Sequence, residues 1–182
     1  MPGFVVLVAL AALVGLAGLV APGCSRPAVP ATAPVPGGGT GLVAHVDHVT
    51  DGDTVTLRIA GAEPERARLL GIDTPETVKP DAPVECFGPE ASARTKVLLP
   101  EGTEVLVQRD AEARDRYGRL LVYLWRRTDG LFVNRTLLAE GYASVLSIAP
   151  NTARRADLAA AERGARAAGT GLWGACGDPG GR

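Results

Sequence analysis

Three short segments hold acidic and basic side chains in an order suited to metal-assisted phosphodiester cleavage: Asp51-Gly52-Asp53-Thr54, Arg68 through Asp73-Thr74-Pro75-Glu76, and Asp115-Arg116-Tyr117-Gly118-Arg119. Asp53 and Asp73 offer carboxylate oxygens, and with no Cys or His at hand such a donor set favours calcium or magnesium over zinc. Arg68 and Arg119 carry guanidinium forks that suit phosphate oxygens and stay charged. Together they could stabilise the extra negative charge of a five-coordinate phosphorus. Glu76 remains to handle a water, and at neutral pH a lone carboxylate needs the cation and the arginines to share that work.

Each residue also has a plainer reading. Asp-Gly-Asp is common turn chemistry, and Asp73 before Thr-Pro could be a local cap. The arginines could lie on a solvated strand face, and Glu76 could be a first-turn helix acid favoured by the dipole. The conjunction of all three segments favours the chemical reading.

The elements that must position these groups follow from periodicity. Leu42 to Val49 reads as a strand and Asp51-Gly52 as a turn. Val55, Leu57 and Ile59 then alternate with Thr54, Thr56 and Arg58, the period of a half-buried strand. Arg66 to Leu70 forms a third strand with both arginines on one face, and short connections make the three an antiparallel meander. Asp53 at the head of one strand and Asp73 past the end of the next can therefore reach one point. A helix opens at Gly88-Pro89-Glu90 and stops at Pro100. Strands follow around Val105 to Val107 and Leu120 to Leu124, then a short helix over Val133 to Glu140, and a longer one from Thr152 to Ala168 stopped by Gly169. Five short strands with three helices, an α+β arrangement that is mainly β, suggest a Greek-key barrel of the OB type. His45 and His48, three apart on a strand, should face opposite ways and share no metal.

The 182-residue chain allows one domain of ordinary size. Phe4 to Ala21 is an uncharged apolar run, readable as the core of an export signal or as a marginal membrane span within residues 1–23. Cys24 follows in Val20-Ala21-Pro22-Gly23-Cys24, which resembles a bacterial lipobox; a signal cleaved nearby or an uncleaved anchor is the alternative. Residues 24–40, rich in Pro, Ala and Gly, read as a flexible tether. The domain is then expected over 41–176 and a flexible tail over 177–182. Cys86 and Cys176 are the two cysteines inside it. In an oxidising compartment they could form a disulfide contributing about 3–5 kcal/mol; two buried thiols are the alternative. The first forty residues contain one Arg and no acid. Taking that arginine from the chain's 19 basic residues leaves 18 against 20 acidic ones, so nucleic-acid binding by bulk attraction is excluded and must be local.

Val49 to Leu57, Arg68 to Thr77, Phe87-Gly-Pro-Glu-Ala-Ser92 and Asp115 to Arg119 resemble, in order, the motifs of the staphylococcal nuclease (thermonuclease) family, over about residues 42 to 173. The resemblance implies a calcium-dependent nuclease on an OB barrel. It would cut DNA and RNA, single strands preferentially, with little sequence preference, leave 3′-phosphate ends, and act as a monomer. By motif position, Asp53 and Asp73 would bind calcium through carboxylates and Thr74 through its carbonyl. Arg68 and Arg119 would grip the scissile phosphate, and Glu76 would position or deprotonate the water. Asp115, Arg116 and Tyr117 match the loop that holds the nucleotide's other phosphate and sugar, and Asn134 matches a structural position at the second helix.

Two features depart from that pattern. Ser144-Val-Leu-Ser-Ile148 stands where the family's best-known member has base-pocket tyrosines, and the loop from Val78 to Val84 has a single Lys79 where the prototype is lysine-rich. Both imply weaker binding and stronger salt sensitivity, not lost chemistry. The competing expectation is a catalytically inactive OB module that binds nucleic acid or protein. A third reading, a membrane-anchored scaffold, has only the N-terminal run behind it.

Overall fold

The computed structural model describes residues 30–77 and 84–176. The apolar N-terminal run, Cys24, Lys79 with its loop neighbours at 78–83, and the tail 177–182 lie outside the described residues. Among the described residues no helix is long and apolar enough to cross a membrane.

Five strands close a barrel. β2 (Thr40–Asp51), β3 (Thr54–Ile59) and β4 (Glu65–Leu69) form the expected antiparallel meander, and β6 (Glu104–Gln108) and β7 (Leu120–Arg126) pair antiparallel. β7 lies parallel to β4, and β6 returns to pair with β2, so no long edge is left open. Alternation decides what fills the interior: Ala44, Val46, Val55, Leu57, Ala67, Leu69, Val105, Val107, Val122 and Leu124 are all buried. Tyr123 and Trp125, on the other face of β7, are buried as well, Trp125 by stacking on Phe132 at 4.4 Å between ring centres.

The strand reading needs three corrections. β3 is not half-buried: Thr54 and Thr56 are covered too, the Thr56 hydroxyl pairing with His48 Nε2 at 3.2 Å and the Thr54 hydroxyl donating to Asp53 at 3.0 Å. His45 and His48 do not alternate, because the β2–β3 register shifts between Val46 and His48; the extra residue of a bulge leaves both imidazoles exposed. Regular structure is also found before residue 41. β1 (Thr32–Pro34), inside the stretch expected to be a tether, pairs with Thr40 to Leu42 of β2.

Two further strands lie off the barrel. β5 (Gly71–Asp73) pairs with β8 (Ser144–Leu146), setting Asp73 opposite Ser144. Gly71 takes a φ of 77°, and a Cβ there would stand 2.4 Å from Leu158 of the long C-terminal helix, so glycine is required.

The expected helices are α1 (Gly88–Leu98), α2 (Val133–Ala139) and α3 (Arg155–Ala168); a fourth, α4 (Leu172–Ala175), is a single turn. α3 begins three residues later than Thr152, which instead accepts the Arg155 N–H at 3.0 Å through its carbonyl, and it ends as expected at Gly169 with φ 60°. Asn134 at the start of α2 is fully buried. Its amide donates to the Leu70 carbonyl at 2.9 Å and its oxygen accepts the Leu124 N–H at 3.0 Å, which fastens the end of β4 to β7. Cys86 and Cys176 are joined by a disulfide across 90 residues of chain.

Candidate active site

The Asp51-Gly52-Asp53 turn and the segment after β4 are packed directly together. A Cβ on Gly52 would stand 2.6 Å from the Thr74 hydroxyl oxygen, so only glycine lets the Thr74 side chain pack this closely on the turn. The Thr95 hydroxyl of α1 donates to the Gly52 carbonyl at 2.7 Å, holding the turn from behind. Asp53, 3 % exposed, accepts the Thr74 N–H at 3.2 Å and is ion-paired with Arg68. Arg68 reaches from mid-β4 between the two aspartates: its other nitrogen donates to Asp73 at 2.6 Å and to the Ile72 carbonyl at 3.2 Å. The meander thus brings Asp53 and Asp73 to one guanidinium.

On the open side of Arg68 lies a cleft of about 650 Å³, bounded by Arg68, Asp73, Glu76, Arg119 and the loop Arg114 to Tyr117. Arg119 enters through the start of β7, which the parallel register sets beside β4, Leu121 lying opposite Arg68. Its Nε donates to Asp115 at 2.7 Å, and Asp115 also accepts the N–H groups of Tyr117 at 2.9 Å and of Arg119 at 3.0 Å. Burial alone would raise the Asp115 carboxyl, but the Arg119 guanidinium and the two backbone N–H groups together hold it below the ordinary range. Arg116 donates to the Tyr117 hydroxyl at 2.6 Å with its guanidinium over that ring, so the loop presents a cation and an aromatic edge together.

Burial pushes the Asp53 carboxyl up in spite of Arg68, and Glu76 is raised as well. For Glu76 the cause is first desolvation and then the negative charges of Asp51, Asp53 and Asp73, against which Arg68 acts alone.

Among the described residues no cluster of three or more Asp, Glu, His or Cys side chains forms a cation cage of its own. The donor set nevertheless fits a hard cation shared with a substrate. Two carboxylates converge on one positive charge, one of them is buried with its ionised form opposed by desolvation, and no sulfur or imidazole stands by.

One part of the site carried no assigned role in the sequence, and the Ser144–Ile148 departure falls on the cleft wall. Asp51 is buried, accepts the Thr77 hydroxyl at 2.8 Å and adds its charge to the field at Glu76. The signal was present in the doubled aspartate, but turn chemistry accounted for it equally well. Leu146 and Ile148 are exposed and line the cleft wall, which makes that wall aliphatic.

Comparison with known proteins identifies the family. A family model described as Staphylococcal nuclease homologue matches residues 66–175. The chain is 40% identical over 128 residues to a thermonuclease of Staphylococcus intermedius, covering 70% of this chain and 74% of that one. It is 36% identical over 128 residues to a thermonuclease of Staphylococcus hyicus, covering 70% and 73%. With endonuclease YncB of Bacillus subtilis strain 168 it shares 42% over 108 residues, covering 59% and 50%. The chain belongs to the staphylococcal nuclease family.

Proposed function

We propose that this member of the staphylococcal nuclease family, a hydrolase of the micrococcal nuclease type, depends on calcium and cleaves DNA and RNA with little sequence preference, leaving 3′-phosphate ends. The observation that carries the reading is the convergence of Arg68, Asp73, Glu76 and Arg119 on one cleft, with Asp53 buried behind Arg68.

In this reading Asp53, Asp73 and the Thr74 carbonyl would hold a calcium ion, which would supply charge neutralisation for the phosphate and polarise a water. The Arg68 guanidinium has five N–H donors, and its contacts to Asp53, Asp73 and Ile72 do not exhaust them. Arg68 and Arg119 bind the scissile phosphate and stabilise the charge that builds on its oxygens. A water oxygen attacks phosphorus as its proton passes to the Glu76 carboxylate. The bond to the 5′ oxygen breaks, and that oxygen leaves with a proton drawn from solvent. Glu76 suits this role by position, since it borders the same cleft as Arg68, Asp73 and Arg119. Asp115, Arg116 and Tyr117 hold the neighbouring phosphate and sugar.

Export is part of the same proposal, with the apolar N-terminal run as signal or anchor and Cys24 as a site for lipid attachment. The Cys86–Cys176 disulfide supports an oxidising compartment.

The site assignment is tested with Glu76→Gln and Asp73→Asn. Each should keep the fold and the ability to bind single-stranded DNA, while Glu76→Gln loses about 100-fold or more in kcat, the scale of general base catalysis. A Glu76→Gln protein with the parent kcat would contradict the role of Glu76.

A further inference from the structure

Glu76 stands three residues past the end of β5, a place with no regular structure to aim a carboxylate. Two bonds to one residue do the aiming instead. The Glu76 N–H donates to the Glu85 carboxylate at 3.1 Å, and the Glu76 carbonyl accepts the Glu85 N–H at 3.0 Å. The base of α1 is packed against the same backbone, since a Cβ on Gly88 would stand 3.0 Å from the Glu76 carbonyl oxygen and 3.2 Å from that of Pro75.

Glu85 is itself tied down through its neighbour. Cys86 is bonded to Cys176 at the end of α4. α4 is in turn fixed to the end of α2, where the Leu172 N–H donates to the Gly141 carbonyl at 2.9 Å, and Gly141 and Gly171 approach so closely that neither has room for a Cβ. Phe87 lies against Tyr142 with ring centres 5.4 Å apart. The path from the rigid C-terminal turn to the Glu76 backbone is therefore a disulfide, one peptide unit and two hydrogen bonds.

We propose that Glu85, anchored by the Cys86–Cys176 disulfide, is a positioning residue for Glu76, so that the rate of cleavage depends on this clamp and on the disulfide that anchors it. The inference rests on the reading of Glu76 as the group that takes the proton of the attacking water. Glu85 touches no reacting atom; it fixes the backbone from which the Glu76 side chain springs. Losing the clamp lets the carboxylate wander, and a displacement of about 1 Å at a reacting group costs up to about 100-fold in rate.

The test measures kcat and KM on single-stranded DNA in calcium for the full chain and for Glu85→Ala, Glu85→Gln and Cys86→Ser, with both Glu85 variants repeated in a Glu76→Gln background. Circular dichroism establishes that each protein is folded at the assay temperature. Glu85→Ala should lower kcat by about 10- to 100-fold with KM changed less than about twofold. Glu85→Gln should recover most of that loss, because its amide oxygen accepts the same N–H. Cys86→Ser should move kcat in the same direction as Glu85→Ala, and it carries the test alone should Glu85→Ala fail to fold. In the Glu76→Gln background neither Glu85 change should lower the residual rate further. Equal losses for Ala and Gln, an undiminished kcat in Glu85→Ala, an undiminished kcat in folded Cys86→Ser, or the same fold-loss in the Glu76→Gln background would overturn the clamp while leaving Glu76 in its role. An undiminished kcat in Glu76→Gln would instead remove the reading on which the clamp rests.

Discussion

The Thr74 backbone N–H donates to the Asp53 carboxylate at 3.2 Å, joining two segments 21 residues apart. That one bond locks the turn before β3 against the segment after β5, and Arg68 completes the junction by pairing with both Asp53 and Asp73. A buried carboxylate placed in this way is costly without a positive partner. Arg68 is therefore structural as well as chemical, which separates it from Arg119.

Removing either arginine should lower kcat by about 100-fold or more, the scale seen when a transition-state charge stabiliser is deleted. Stability should split the two. Arg68→Ala leaves Asp53 buried beside no cation and should cost about 3–5 kcal/mol. Arg119→Ala leaves Asp115 with two backbone N–H donors and should cost under about 2 kcal/mol. Urea unfolding of the two variants measures the difference, and equal losses would contradict it.

The cleft wall predicts an affinity change. Ile148 is 64 % exposed and lines the cleft near Leu146, offering bases a surface with no aromatic face. Ile148→Tyr should lower KM for single-stranded DNA roughly five- to tenfold, the low end of the about 1–3 kcal/mol available from stacking one base on an aromatic ring. The kcat should stay within about twofold. Steady-state kinetics at fixed salt measure both, and an unchanged KM would show that this wall does not meet a base.

Much of this site is legible in the sequence because its parts are local. Strand alternation places Val55, Leu57, Ala67 and Leu69 inside, which fixes the register that brings Asp53 and Arg68 together. What periodicity could not show depends on contacts between distant segments. β5 and β8 are three residues each, too short for a period, and exist only because they pair with one another. β1 comes from a Pro-rich stretch whose composition signals a tether, yet the free edge of β2 gives it hydrogen-bond partners. The burial of Thr54 and Thr56 depends on polar partners at Asp53 and His48. The support of Glu76 by Glu85 joins residues nine apart in sequence and has no sequence signature.

Alkaline stability should report on the outer, covered face of β7. Burial, reinforced by the Asp110 carboxylate that accepts its hydroxyl at 3.0 Å, pushes the Tyr123 phenol up to about 12 from its ordinary value of 10.0. A group whose pKa is raised on folding contributes stability that is complete below its unfolded pKa and is lost as pH rises towards the folded one. The melting temperature should therefore fall between about pH 10 and 12. Tyr123→Phe, which has no proton to lose, should show a shallower fall over the same window. Parallel slopes for the two proteins would contradict the assignment.

The most direct measurement is hydrolysis of single-stranded DNA by the purified chain, first with calcium and then with a calcium chelator, followed by analysis of the product ends. The account predicts cleavage with calcium, none with the chelator, and 3′-phosphate termini that block polymerase extension until a phosphatase removes them. A folded chain that binds the strand and leaves it intact in calcium would contradict it, and would make this barrel a binding module.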